Sequence, residues 1–315
     1  MSDSMKGRNN AQINIVISNQ KRRSITKEPP LLEKVSHEIP DHHQELKQIE
    51  KEMDALVGME EMKKIIKQIY AWIYVNKKRE EKGLKSEKQA LHMMFRGNPG
   101  TGKTTVARLI GKLFLKMNVL TKGHLIEAER ADLVGEYIGH TAQKTRDLVK
   151  KAIGGILFID EAYSLGRGGE KDFGKEAIDT LVKHMEDRHQ EFILILAGYS
   201  SEMLDFLTLN PGLHSRFPIV VDFPDYTVEQ LMEIAAIMLE NKQYQFSAEA
   251  EKQFEQHLIH LKNSWSPISF SNGRYIRNAI EKSIRSQAMR LLINDMYDKR
   301  ELQTIRSQDL QLDVE

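Results

Sequence analysis

The chain has 315 residues, no cysteine, and 46 basic against 45 acidic side chains, a net charge of +1. That length allows one large core or two units at the usual ~100–200 residues per domain, and the missing cysteines exclude disulfides and thiolate-bound metal. The near-neutral balance demands no polyanionic partner, and no apolar run approaches the ~18 residues of a membrane span.

No basic start leads into an apolar stretch of the secretory type, so a soluble cytoplasmic protein with no membrane contact is expected. Residues 1–46 are rich in Asn, Ser, Lys and Arg and carry adjacent prolines, Pro29 and Pro30. They are read as a flexible arm, in which the apolar alternation at 13–17 pairs as a strand only within a complex. Lys21-Arg22-Arg23 is read as a solvated tail before a nucleic-acid contact, and His42-His43 as a solvated charge run before a metal site. From Glu45 the pattern turns helical, with Met62, Ile65, Ile66, Ile69, Tyr70 and Ile73 close to the ~3.6-residue period.

Apolar runs of strand length follow at 91–95, 125–128, 156–159, 192–197 and 218–221, with amphipathic segments at 106–117, 141–152, 175–185 and 201–207. Strands alternating with helices predict an α/β unit over 47–224, a five-stranded parallel sheet flanked by helices. Beyond it no strand-like run remains. Helical patterns at 227–242, 247–262 and 272–293 predict a small all-α unit over 225–315.

The first strand runs into "FRGNPGTGKTTVAR", where Gly97, Gly102, Lys103 and Thr104 fill the pattern G-x-x-x-x-G-K-S/T between a strand and a helix. Asn98, Pro99, Gly100, Thr101, Gly102, Lys103, Thr104 and Thr105 are expected to wrap a phosphate chain. Loop amides and the helix N-terminus there favour negative charge. Lys103 would neutralise the β- and γ-phosphates, and the Thr104 hydroxyl would reach Mg²⁺. In "GGILFIDEAYSL" a buried strand ends in Asp160-Glu161. Open α/β sheets place ligands at that edge, so Asp160 is expected to hold Mg²⁺ and Glu161 to orient and deprotonate the attacking water. No guanine-reading Asn/Thr-Lys-x-Asp follows a strand, which favours ATP over GTP. Arg216, before the last strand, and Arg274, at the start of the last long helix, are candidates for stabilising phosphoryl transfer. Each, taken alone, reads first as a surface ion pair. Arg277 either shares the role of Arg274 or pairs with Glu281.

Phosphate loop, Asp-Glu strand end, arginine before the last strand and Gly-Arg in a helical lid, in this order, resemble the AAA+ ATPases over residues 51–295. "LVGMEEMKK", "FRGNPGTGKTTVAR", "LVGEYIGHTAQKT", "ILFIDEAYSL", "ILAGYSSEM", "NPGLHSRFP" and "NGRYIRNA" are similar to the CbbX/CfxQ branch. That branch includes red-type Rubisco activases and stage V sporulation protein K. The resemblance implies a P-loop NTPase fold with a helical lid, ATP hydrolysis, and self-association into a ring, usually a hexamer, with ATP at each subunit boundary. It makes Lys103, Glu161, Arg216 and Arg274 the catalytic set. Arg216 matches the arginine finger that reaches a neighbour's nucleotide, and Arg274 the second sensor. Val57 and Gly58 match the segment that packs on adenine. The first sensor, commonly Asn or Thr, is replaced by Gly198-Tyr199-Ser200, so Tyr199 or Ser200 positions the water.

Tyr137-Ile138-Gly139 matches the aromatic-hydrophobic-glycine triplet with which AAA+ remodellers grip a polypeptide in a central pore. The glycine-rich loop from Gly166 to Gly174 is read as a second pore-facing loop. A protein client is favoured over a nucleic-acid motor, because the triplet carries tyrosine where backbone phosphates would need several cations. A nucleotide-gated scaffold is the third reading. The basic arm is closer to the sporulation members of the branch than to the Rubisco activases.

Overall fold

The computed structural model describes residues 43–54, 56–85, 89–137, 139–168, 172–208, 211–264 and 270–312. The arm segments at 13–17 and 21–23, His42, Ile138 of the expected pore triplet, and 169–171 of the glycine-rich loop lie outside the described residues.

Helices α1 (Gln44–Asp54) and α2 (Glu60–Glu81) lead into β1 (Met93–Gly97), α3 (Lys103–Lys116), β2 (Leu125–Ala128), α4 (Arg130–Leu133) and α5 (His140–Ala152). Next come β3 (Ile156–Ile159), a 3₁₀ turn (Ala162–Gly166), α6 (Gly174–Asp187), β4 (Ile193–Gly198), α7 (Ser200–Thr208), α8 (Pro211–Arg216) and β5 (Ile219–Phe223). The strands form one parallel five-stranded sheet in the order β2-β3-β4-β1-β5. The five expected strands are all present. β1 and β5 run two residues further toward their C-terminal ends than their apolar residues indicated, because ladder pairing carries Arg96–Gly97 along Asp222–Phe223.

Although the strands read as continuous apolar runs, their two faces serve two cores, since successive side chains point to opposite sides of a sheet. Met93, Phe95, Ile156, Phe158, Ile193, Ile195, Val221 and Phe223 pack with α1, α2 and α3. Met94, Leu157, Ile159, Leu194 and Leu196 pack with α5, α6 and α7. Burial on both faces holds the strand register, because a one-residue slip would exchange the two cores.

The C-terminal residues form α9 (Val228–Asn241), β6 (Gln245–Phe246), α10 (Ala248–Ser264), α11 (Gly273–Asn294), α12 (Lys299–Gln303) and β7 (Thr304–Ile305). Thr227 starts α9 with a reciprocal capping box to Gln230. This part is the expected helical lid with one addition: β6 and β7 pair in parallel over two residues. Strands that short carry no readable alternation.

His92 stands buried just before β1, 1% exposed, against Phe192 and Phe217. Its Nδ1 accepts a hydrogen bond of 3.0 Å from the Leu194 amide, which assigns the neutral ring with the proton on Nε2. Burial pushes its pKa down from the ordinary 6.5 to about 4, with a smaller contribution of the same sign from His189. The unfolded chain therefore takes up a proton below pH 6.5 that the folded chain refuses until about pH 4. Stability should thus fall as the pH drops through that window, by ~3 kcal/mol in total. Urea unfolding from pH 7 to 4 should show a decline that His92→Asn largely removes. The same slope in the variant would assign the decline to other groups.

Candidate active site

The C-terminal edge of the sheet opens into a cleft of about 410 Å³. Its floor is the loop between β1 and α3. Gly100 has φ +73°, and a Cβ there would lie 2.0 Å from the Ser271 carbonyl oxygen of the lid, so only glycine fits. Helix α3 begins at Lys103 with no acidic side chain in its first turn, which leaves its N-terminus open to an anion. Lys103 Nζ donates to the carbonyls of Gly97 and Asn98, both at 2.8 Å. Burial lowers its pKa, opposed chiefly by Asp160. A phosphate placed there would repair that desolvation.

Asp160 follows β3, and its Oδ1 accepts the Glu161 amide at 2.9 Å. Glu161 itself has φ 46°, a left-handed conformation that costs a non-glycine residue ~1–3 kcal/mol and recurs at functional sites. Both acids line the cleft beside Thr104 and Thr105. Tyr199, after β4, lines it as well, with its ring centroid 5.7 Å from that of Tyr163. Burial and the nearby Glu161 raise the Tyr199 pKa. Of the two candidates for the first sensor, Tyr199 borders the cleft, whereas Ser200 is the first residue of α7. The lid contributes Arg274 and Arg277 from the first turns of α11. Arg277 borders the cleft, and among the described residues it makes no ion pair with Glu281.

Part of the cleft lining is apolar: Leu56, Val57, Met59, Tyr226, and Ile234, Ile237 and Met238 of α9. Tyr226 donates from its hydroxyl to the Thr101 carbonyl at 3.1 Å, and burial pushes its pKa up to about 12. A purine can lie on this wall while a phosphate chain reaches α3. The α9 side chains sit at helical spacing, which in sequence cannot be told from core packing, and Tyr226 had no signal at all.

Some expected residues stand elsewhere. Asn98 turns its side chain away from the cleft to donate to both oxygens of Asp225 at 3.0 Å. Thr101 is buried, its hydroxyl donating to the Asn98 carbonyl at 2.8 Å. Gly58, with φ +71°, lies between two wall residues, and a Cβ there would meet Gln230. Among the described residues no cluster of three acid, histidine or cysteine side chains could cage a metal. The Thr104 hydroxyl and Asp160 carboxylate supply hard oxygens in the number that Mg²⁺ takes when a nucleotide completes its shell, so the site fits it.

Residues 93–225 match the model of the ATPase family associated with various cellular activities (AAA), and residues 227–315 match the AAA lid domain. Stage V sporulation protein K of Bacillus subtilis (strain 168) is 68% identical over 309 residues, which span 98% of this chain and 96% of its own length. This chain belongs to the AAA ATPases. The chloroplastic ribulose bisphosphate carboxylase/oxygenase activase of Cyanidioschyzon merolae is 44% identical over 258 residues, 81% of this chain and 87% of its own. Protein CbbX of Cereibacter sphaeroides is 42% identical over 268 residues, 84% of this chain and 86% of its own. The AAA ATPase is thus an ATP hydrolase, and its family implies ATP as the nucleotide.

Two further features of the AAA ATPase lie outside the cleft. Arg216 ends α8 and donates to the Gly212 carbonyl at 2.6 Å and to the Glu186 carboxylate. Its Nε is buried without a hydrogen-bond partner among the described residues. Tyr137 is 65% exposed, its ring edge-on to His140, on the connection between α4 and α5. Gly139 there has φ +83° and open space around the position of a Cβ. Among the described residues no helix is long and apolar enough to cross a membrane.

Proposed function

We propose that this ATPase assembles into a ring, usually a hexamer, and uses ATP hydrolysis to remodel a protein client drawn into a central pore, in bacterial sporulation. The chain and the sporulation protein match over nearly their whole lengths, which supports the biological setting. The observation that carries the pore reading is the exposed Tyr137 beside a glycine with free space. A large aromatic ring left in solvent grips polypeptide of many sequences through apolar area, and Gly139 lets its loop move. Glu136 is exposed beside Tyr137, where phosphate contact would need cations, so a protein client is favoured over nucleic acid.

Within the cleft, Lys103 and the loop amides bind the β- and γ-phosphates. Thr104 and Asp160 would hold Mg²⁺, which would supply charge neutralisation during phosphoryl transfer. Glu161 takes the proton of the attacking water, Tyr199 holds that water, and Arg274 senses the γ-phosphate from the lid. Val57 backs the adenine. Arg216, paired with Glu186, serves a neighbour's nucleotide after that ion pair opens, a reading supported by its position outside the cleft lining.

The chain should restore spore formation in Bacillus subtilis lacking stage V sporulation protein K. Tyr137→Ala, expressed at an equal level, should fail to do so. A photo-cross-linker at position 137 should capture polypeptide. Full rescue by the alanine variant, or capture of nucleic acid, would defeat the pore reading.

A further inference from the structure

One carboxylate bonds both the phosphate loop and the lid. Asp225, between β5 and α9, accepts the Asn98 side-chain amide on both oxygens at 3.0 Å. Its Oδ1 also accepts Asn272 Nδ2 at 2.7 Å. Asn272 is 0% exposed and immediately precedes α11. Its Nδ2 reaches the Pro99 and Phe270 carbonyls, each at 3.3 Å, and its Oδ1 accepts the Tyr226 amide at 3.1 Å. One residue on, the Gly273 amide donates to the Gly100 carbonyl at 3.1 Å. Asn272 holds φ 47° and ψ −125°, a conformation suited to glycine. Glycine would relieve that strain but could make none of the four side-chain contacts, so the side chain itself is what the position requires.

We propose that Asp225 is a positioning residue for ATP hydrolysis: it clamps Asn98 of the phosphate loop to Asn272 and thereby sets where Arg274 stands over the phosphates. Arg274 lies two residues beyond Asn272, at the start of a rigid helix, so a small rotation of the hinge displaces its guanidinium. The loop half of the clamp shares a residue with Lys103, whose Nζ donates to the Asn98 backbone carbonyl at 2.8 Å. When nucleotide draws Lys103 onto phosphate, that bond is released, and the change passes through the Asn98 side chain to Asp225 and the hinge. The clamp also explains why Asn98, inside a phosphate-binding motif, faces away from the phosphates. Asp225 touches no reacting atom, and the carboxylate is matched to its task because it accepts two side-chain amides, Asn98 on both oxygens and Asn272 on one, at once. An asparagine would turn one donor against them.

The inference rests on the cleft being the ATP site, and the two can fail separately. In the full-length protein, Lys103→Ala should abolish binding of a fluorescent ATP analogue. Normal binding would overturn the site itself. A cycle on kcat/KM then tests the clamp. Arg274→Ala should cost at least ~10-fold in the natural background and less than ~3-fold when Asp225 is already asparagine, the non-additivity expected of residues that act through one another. Should Asp225→Asn not fold, Asn98→Ala severs the same link while leaving Asp225 bonded to Asn272, and the same cycle applies. Equal losses from Arg274→Ala in both backgrounds would overturn the proposal. A merely structural Asp225 would lower the unfolding midpoint but leave the two losses equal.

Discussion

Arg216→Ala should lower steady-state ATP turnover by roughly 10³–10⁵-fold, the range lost when an arginine finger is removed, while nucleotide affinity stays near that of the natural protein. The geometry underlies that split. Arg216 lies outside its own cleft, engaged by the Gly212 carbonyl and Glu186. Its loss therefore removes nothing that holds ATP in the same subunit. A guanidinium supplied across a boundary acts on charge that develops during transfer, which shows in kcat rather than in binding. Mixing gives the decisive measurement. Arg216→Ala subunits keep an intact cleft without a finger, and Lys103→Ala subunits keep the finger without a working cleft. Each should be inactive alone, and the mixture should recover activity. A mixture as inactive as its parts would place Arg216 in a structural ion pair instead.

Glu161→Gln should reduce hydrolysis by about 10²–10⁴-fold, the usual contribution of a general base, with ATP still bound. Glutamine is close to glutamate in shape, so Lys103, Thr104 and Asp160 keep their places and only the proton acceptor is lost. The trapped ATP should drive assembly. Sedimentation of the variant with ATP and Mg²⁺ should show growth toward about six protomers, absent with ADP, if the ring closes around the nucleotide. Hydrolysis at the natural rate would remove Glu161 from the role of base. A variant that binds ATP and stays monomeric would argue against nucleotide at a subunit boundary.

Much of this machine was legible in the chain. The phosphate loop is a local device, in which glycine spacing and the Lys-Thr pair act within a few residues of one another. The acids after β3 could be read in the same way, because a buried run that stops abruptly at two charges marks a strand end. Side-chain direction was not legible. Asn98 sits inside a phosphate motif, yet it turns toward a carboxylate 127 residues further along the chain. Thr101 is spent on holding the loop's own carbonyl. The apolar wall failed for another reason. Ile234, Ile237 and Met238 look like any core stripe until the lid is folded over the sheet.

The sequence alone determined the five strands of the main sheet and their alternation with helices, the strand end at Asp160-Glu161, ATP hydrolysis as the chemistry, and the family. These depend on residue type and short-range spacing, which the unfolded chain already contains. Tertiary structure decided the order β2-β3-β4-β1-β5, the choice of Tyr199 over Ser200 at the cleft, the distance of Arg216 from it, and the joining of loop and lid at Asp225. Each of these pairs groups far apart in the chain. Their partners are set by which faces can be buried and which polar atoms must then be satisfied.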